Sequence, residues 1–142
     1  MKTSHLSASA IKLSVLIPAF DEEKTLPILV TELLRQATAA GALHPHDEVE
    51  IVIASDDGVD YASLLPKDPR LVFCSPLVKT GPAVARTRAL HAATGSHIVP
   101  IDADDTVSAT FIPSVLQALK SSLAVATRAR YRRDGQVIRA LT

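Results

Sequence analysis

The stretch HIVPIDADDT, residues 97–106, drives an apolar run, Ile98 to Ile101, straight into three carboxylates, Asp102, Asp104 and Asp105. Apolar residues that stop at a cluster of acids read as a strand carrying charge to its carboxyl end. The pattern recurs upstream. Leu13-Ser14-Val15-Leu16-Ile17 is a β-prone run stopped by Pro18 and followed by Asp21-Glu22-Glu23, and Val49-Glu50-Ile51-Val52-Ile53-Ala54 ends in Ser55-Asp56-Asp57-Gly58. Residues 70–74 read as a further strand.

Helical spacing fills the gaps between these runs. Leu26, Val30, Leu33 and Ala37, with Leu29 and Leu34 beside them, describe one helix, with Thr25 as its cap, Pro27 in its first turn and Gly41 as its stop. Residues 61–65 suit a short helix. The alanine-rich segment 82–94 reads as a helix closing at Gly95, and Phe111, Val115, Leu116 and Leu119 mark another. Such alternation predicts the α/β class: a mainly parallel sheet, right-handed crossovers, and helices on both faces in a Rossmann-like arrangement. Residues 123–131 and 136–141 read as two strands joined through Asp134-Gly135, an antiparallel hairpin at the end of the domain. Residues 1–10, polar and rich in small side chains, read as a flexible tail, and residues 11–142 as a single domain.

Composition narrows the function. Lys plus Arg and Asp plus Glu number 15 each, so the net charge is zero, which removes any general attraction to nucleic acid. The one cysteine, Cys74, sits in an apolar run and excludes an internal disulfide or a cysteine-rich zinc site. No run is long enough for a membrane span or shaped as a signal peptide, and a cytoplasmic location is expected.

Ligands bind at the carboxyl ends of parallel strands, so acids from distant parts of the sequence converge there. Carboxylates gathered on one edge repel one another unless a cation or hydrogen-bond donors neutralise them. Hard ions such as Mg²⁺ or Mn²⁺ prefer oxygen ligands and complete their shell with water and phosphate, which suits Asp102, Asp104 and Asp105. Taken singly these acids have plainer roles: Asp105 or Thr106 as a helix cap, Asp56-Asp57 as a polar turn, Glu22 and Glu23 as favourable charge near a helix start. Lys79 and Arg86 flank the loop and helix leading to the acidic strand and offer positive charge to a phosphate or base. The histidines show no ligand spacing, and no serine lies in a nucleophile elbow.

These segments together resemble the N-terminal, nucleotide-sugar-binding half of family 2 glycosyltransferases with the GT-A fold. Ser14 to Glu22 is similar to the first strand and its Pro-x-aromatic-Asn/Asp-Glu loop, which lies against the nucleotide; here the loop is Pro18, Ala19, Phe20, Asp21 and Glu22. Ile51 to Gly58 with Asp60 resembles the second strand and its Asp-Asp-Gly turn, where Asp56 or Asp57 would contact the base. Gly81 to Arg86, Gly95 to Ile98 and Ile101 to Asp105 follow in the order that leads to the DxD motif. The resemblance implies a nucleoside-diphosphate sugar as donor, with Asp102, Ala103 and Asp104 on the substrate and Asp104 and Asp105 on a Mn²⁺ or Mg²⁺ ion. It also implies inverting transfer to an acceptor hydroxyl. Thr87, Ala89 and Val59 depart from the residues most common in the family.

Family members continue into a second half that builds the acceptor pocket and supplies the catalytic base. This chain stops at Thr142, so the base and the acceptor are unassigned, and the pocket is expected from a missing half or from a homo-oligomer. The alternative is a nucleotide-sugar-binding module or fragment without turnover. A receiver-like signalling domain fits less well, because it needs a phosphate-accepting aspartate after the third strand, where Phe73-Cys74-Ser75-Pro76 stand.

Overall fold

A strand buried on both faces must be apolar along nearly all its length, and β1, Lys12–Ala19, meets that condition with only its first residue and Pro18 partly exposed. The computed structural model describes residues 10–55, 57–74, 81–121, 130–133 and 136–139. After β1 come α1 (Leu26–Leu43), β2 (Glu48–Ser55), a 3-10 turn (Tyr61–Leu64), β3 (Leu71–Cys74), α2 (Pro82–Ala92), β4 (His97–Pro100) and α3 (Phe111–Ser121). The four strands form an all-parallel sheet in the order β3-β2-β1-β4. Two short strands, β5 (Arg130–Arg133) and β6 (Gln136–Arg139), pair antiparallel as a separate sheet, with the residues of the expected Asp134-Gly135 turn outside the described ones.

Strand order dictates where the helices lie. The chain steps outward from β1 to β2 to β3 and then returns past β1 to β4, so right-handed crossovers place α1 and α2 on opposite faces. On one face Leu13, Val15 and Ile17 of β1 pack with Val49, Ile51 and Ile53 of β2 against α1 and against Ile112 and Leu116 of α3. Burial of each large apolar side chain there contributes about 1.5–3 kcal/mol. On the other face Leu16, Val52 and Ala54 meet Ala85 and Ala89 of α2, whose small side chains bring that helix close to the sheet.

Two polar networks fix the helices. Gln36, buried in α1, donates to Ser108 O at 2.7 Å and accepts from Ile112 N at 2.8 Å, which ties the start of α3 to α1. On the α2 face, buried Glu50 accepts from Ser14 Oγ at 2.6 Å, Thr94 N at 2.6 Å and Thr94 Oγ1 at 2.8 Å, while Gly95 N donates to Ser14 Oγ at 2.9 Å. A Cβ on Gly95 would stand 2.4 Å from Ser14 Oγ and 2.6 Å from Lys12 O, so the connection into β4 needs glycine for close approach.

Local details differ from the sequence expectations. β1 passes through Pro18 to Ala19 instead of stopping at Pro18. Ile101 N donates to Leu16 O on the β4 side, and by the level of Pro18, which would face the same way, β4 has ended, so the missing N–H costs no ladder bond. Gly41 does not stop α1, which runs to Leu43 and caps at His44. Thr25 makes no side-chain cap; its hydroxyl donates to the Glu22 carboxylate instead. α2 ends at Ala92, two residues earlier than expected, because the Thr94 amide is taken by Glu50.

Candidate functional site at the carboxyl edge

Parallel pairing brings the three acid-bearing loops to one edge. β1 and β2 end side by side, with Ala19 opposite Ser55, and β4 ends at Pro100 opposite Leu16. The loop after β1 therefore lies between the loop after β2 and the acidic loop after β4. The strand order reverses between β1 and β4, since β2 and β3 are added on one side of β1 and β4 on the other, which makes this edge the switch point where an open α/β sheet forms a crevice.

After β4 the chain makes a turn in which Asp105 N donates to Asp102 O at 3.0 Å, and the Asp105 carboxylate accepts from Asp102 N at 3.2 Å. The Ala103 methyl is buried in the core below, so its neighbours Asp102 and Asp104 are left exposed at the edge. One oxygen from each of Asp102, Asp104 and Asp105 lies within 4.8 Å of the others. Burial, and then the charges of Asp102 and Asp104, push the Asp105 carboxyl above its ordinary range despite the amide it accepts. Arg86 of α2 reaches Asp102 at 3.4 Å, and this is an exposed pair that neutralises only part of the charge. Three oxygen donors of like charge, crowded at an edge, fit a hard divalent cation.

The other side of the edge is organised by Asp57. Its Oδ1 accepts from Ser55 Oγ at 2.9 Å and Val59 N at 3.0 Å, and its Oδ2 from Asp21 N at 2.7 Å and Tyr61 Oη at 2.9 Å. Burial alone would raise this carboxyl, but the bonds from Asp21, Val59, Ser55 and Tyr61 hold it below its ordinary value. The Tyr61 hydroxyl in turn accepts from Glu22 N at 3.3 Å, and burial with the adjacent Asp57 charge pushes its pKa upward.

The residues expected at the site fall into groups. Phe20 is 45% exposed beside half-buried Pro18 and Glu22, while the Ala19 side chain is in the core and offers only backbone to the edge. Asp102, Ala103, Asp104 and Asp105 form one turn, with Arg86 beside it. Asp56 and Lys79 lie outside the described residues. Asp105 is not the cap of α3, since the helix begins at Phe111 and the Asp105 carboxylate turns back to Asp102. Tyr61 has no site role in the sequence reading. Its signal is physical: a tyrosine buried to 1% exposure needs a partner for its hydroxyl.

The sequence model of Glycosyl transferase family 2 matches residues 14–140. The fold is similar to the crystal structure of S. aureus TarS residues 1–349, at 23% identity and a TM-score of 0.60, over 78% of this chain and 32% of that one. It is equally similar to a second crystal structure of S. aureus TarS, at 23% identity and a TM-score of 0.60, over 78% of this chain and 20% of that one. The chain thus spans about a third or less of the structures it resembles. The family match covers the three strand ends and the acidic turn together, and the chain belongs to glycosyl transferase family 2.

Proposed function

We propose that this chain is the donor-binding portion of a glycosyltransferase that moves a sugar from a nucleoside-diphosphate sugar to an acceptor hydroxyl, with divalent metal assistance and inversion. The carrying observation is the turn of Asp102, Asp104 and Asp105, with its carboxylate oxygens within 4.8 Å of one another at the switch point of the sheet. In this proposal Asp104 and Asp105 hold the ion, and Asp102 with the backbone of Ala103 takes ribose or sugar hydroxyls. Pro18, Ala19, Phe20 and Glu22 line the nucleoside side with Asp56. Lys79 and Arg86 supply positive charge to the phosphates.

As the bond to the sugar breaks, negative charge grows on the departing diphosphate. Mn²⁺ or Mg²⁺ held by these carboxylates supplies Lewis-acid stabilisation of that charge. Arg86, already drawn to Asp102, adds a fixed cation beside the same oxygens. The attacking hydroxyl needs a base near the acceptor, and the acids of the turn are committed to the donor end.

Calorimetric titration of UDP, GDP and dTDP, with and without Mn²⁺, tests the proposal. One of them binds in a Mn²⁺-dependent manner, and Asp104→Ala or Asp105→Ala abolishes that dependence. Binding that ignores both the metal and the substitutions would sink the assigned role.

A further inference from the structure

We infer that Tyr61 and Asp57 form a positioning strut that presets the loop after β1 for the nucleoside of the donor. This rests on the donor-binding proposal and goes beyond it, because neither residue need touch the ligand. Carboxylate oxygens together offer about four lone-pair sites. All four on Asp57 are taken, by Ser55 Oγ, Val59 N, Asp21 N and Tyr61 Oη. A carboxylate so engaged has no acceptor left for a nucleobase, and its action is on the loops it joins.

The loop it holds is not relaxed. Asp21 sits at φ +52, a left-handed conformation that a residue with a Cβ rarely adopts. That conformation turns the Asp21 amide onto Asp57 Oδ2, and the next amide, Glu22 N, onto the Tyr61 hydroxyl. Two successive N–H groups are thereby fixed, and with them the direction of Phe20 on one side and the Glu22 carbonyl on the other, where Leu26 N begins α1 at 2.9 Å. The Tyr61 ring belongs to the core under α1, so the strut is anchored in packing as well as hydrogen bonds. Ligand binding to a preset loop avoids the ordering cost that a loose loop would pay.

Tyr61→Phe removes the hydroxyl and keeps the ring. The experiment measures binding of UDP, GDP and dTDP in Mn²⁺ by calorimetry, binding of Mn²⁺ alone, and amide hydrogen exchange at Asp21 and Glu22. Nucleotide affinity is expected to fall about threefold to tenfold, as loss of one hydrogen bond to a charged network implies. Mn²⁺ affinity is expected to stay at the wild-type value, and exchange at Glu22 to quicken. Asp57→Asn, which keeps shape but points an amide group at the loop N–H groups, is expected to give the same split if Tyr61→Phe fails to fold. Unchanged nucleotide affinity, or an equal fall in Mn²⁺ affinity, overturns the strut while leaving the donor proposal standing. A wild-type protein that binds none of the three nucleotides overturns the donor proposal itself, and the strut's role with it.

Discussion

Ser14 Oγ and the Glu50 carboxylate meet at 2.6 Å across β1 and β2, inside the face covered by α2 and at the amino end of the sheet, away from the acidic edge. Glu50 is thus a staple for the connection into β4, with Thr94 and Lys12 as its other partners. Glu50→Ala strands the Ser14 hydroxyl and the Thr94 amide. Urea unfolding should show a loss of about 2–4 kcal/mol. Gly95→Ala forces a Cβ into Ser14 and the Lys12 carbonyl, and should cost about 1–3 kcal/mol or more.

Acid should weaken the fold through depressed carboxylates. Glu50 and Asp57 are held below their ordinary values against the opposing effect of burial, and Asp68 is lowered to about 2 by its hydrogen bonds to Arg70. A group with a depressed folded-state pKa contributes stability above its unfolded value, and that contribution is lost as pH falls through the folded one. Thermal midpoints are therefore expected to hold near neutral pH and to decline from about pH 4 downward. Asp68→Asn should flatten the lower part of that decline. A midpoint that rises on acidification would contradict this assignment.

On the proposed metal role, the acidic turn should trade stability for binding. Asp104→Asn removes one of three clustered charges and should raise the thermal midpoint slightly in EDTA, by the equivalent of about 0.5 kcal/mol. The same variant should lose the stabilisation that Mn²⁺ gives the wild type. Scanning calorimetry with EDTA and with Mn²⁺ reads both effects.

If Arg86 serves the proposed donor phosphates, its replacement should separate function from folding. Its pair with Asp102 is exposed at both ends, and such pairs are worth about 0–1 kcal/mol. Arg86→Ala should leave urea stability nearly unchanged and weaken nucleoside-diphosphate affinity about tenfold, the cost of one charged contact.

Much of this was legible in the sequence for a local reason. Apolar runs at residues 13–17, 49–54 and 98–101 that end in acids mark parallel strands: the first two, β1 and β2, are covered on both faces, while the third forms the half-exposed edge strand β4. Pro18 misleads as a strand stop because its tolerance depends on where β4 ends, which lies more than eighty residues away in sequence. Thr25 misleads as a cap because Glu22 competes for its hydroxyl. Tyr61 and the saturation of Asp57 escape notice for a similar reason, since the partner amides belong to a loop about forty residues earlier. Residue types reveal which groups can bond; only the fold chooses which pairs do.

The most direct measurement is paramagnetic broadening of backbone amide resonances by Mn²⁺ in the presence of UDP, GDP or dTDP. The carboxyl edge and the amino edge of β1 are separated by eight residues, or about 25 Å at ~3.3 Å per residue. Broadening should be strongest at residues 102–105, extend to Asp21, Glu22 and Gly58, and spare Lys12 and Gly95. Broadening centred on the amino edge, or spread evenly over the chain, would contradict a donor site at the acidic turn.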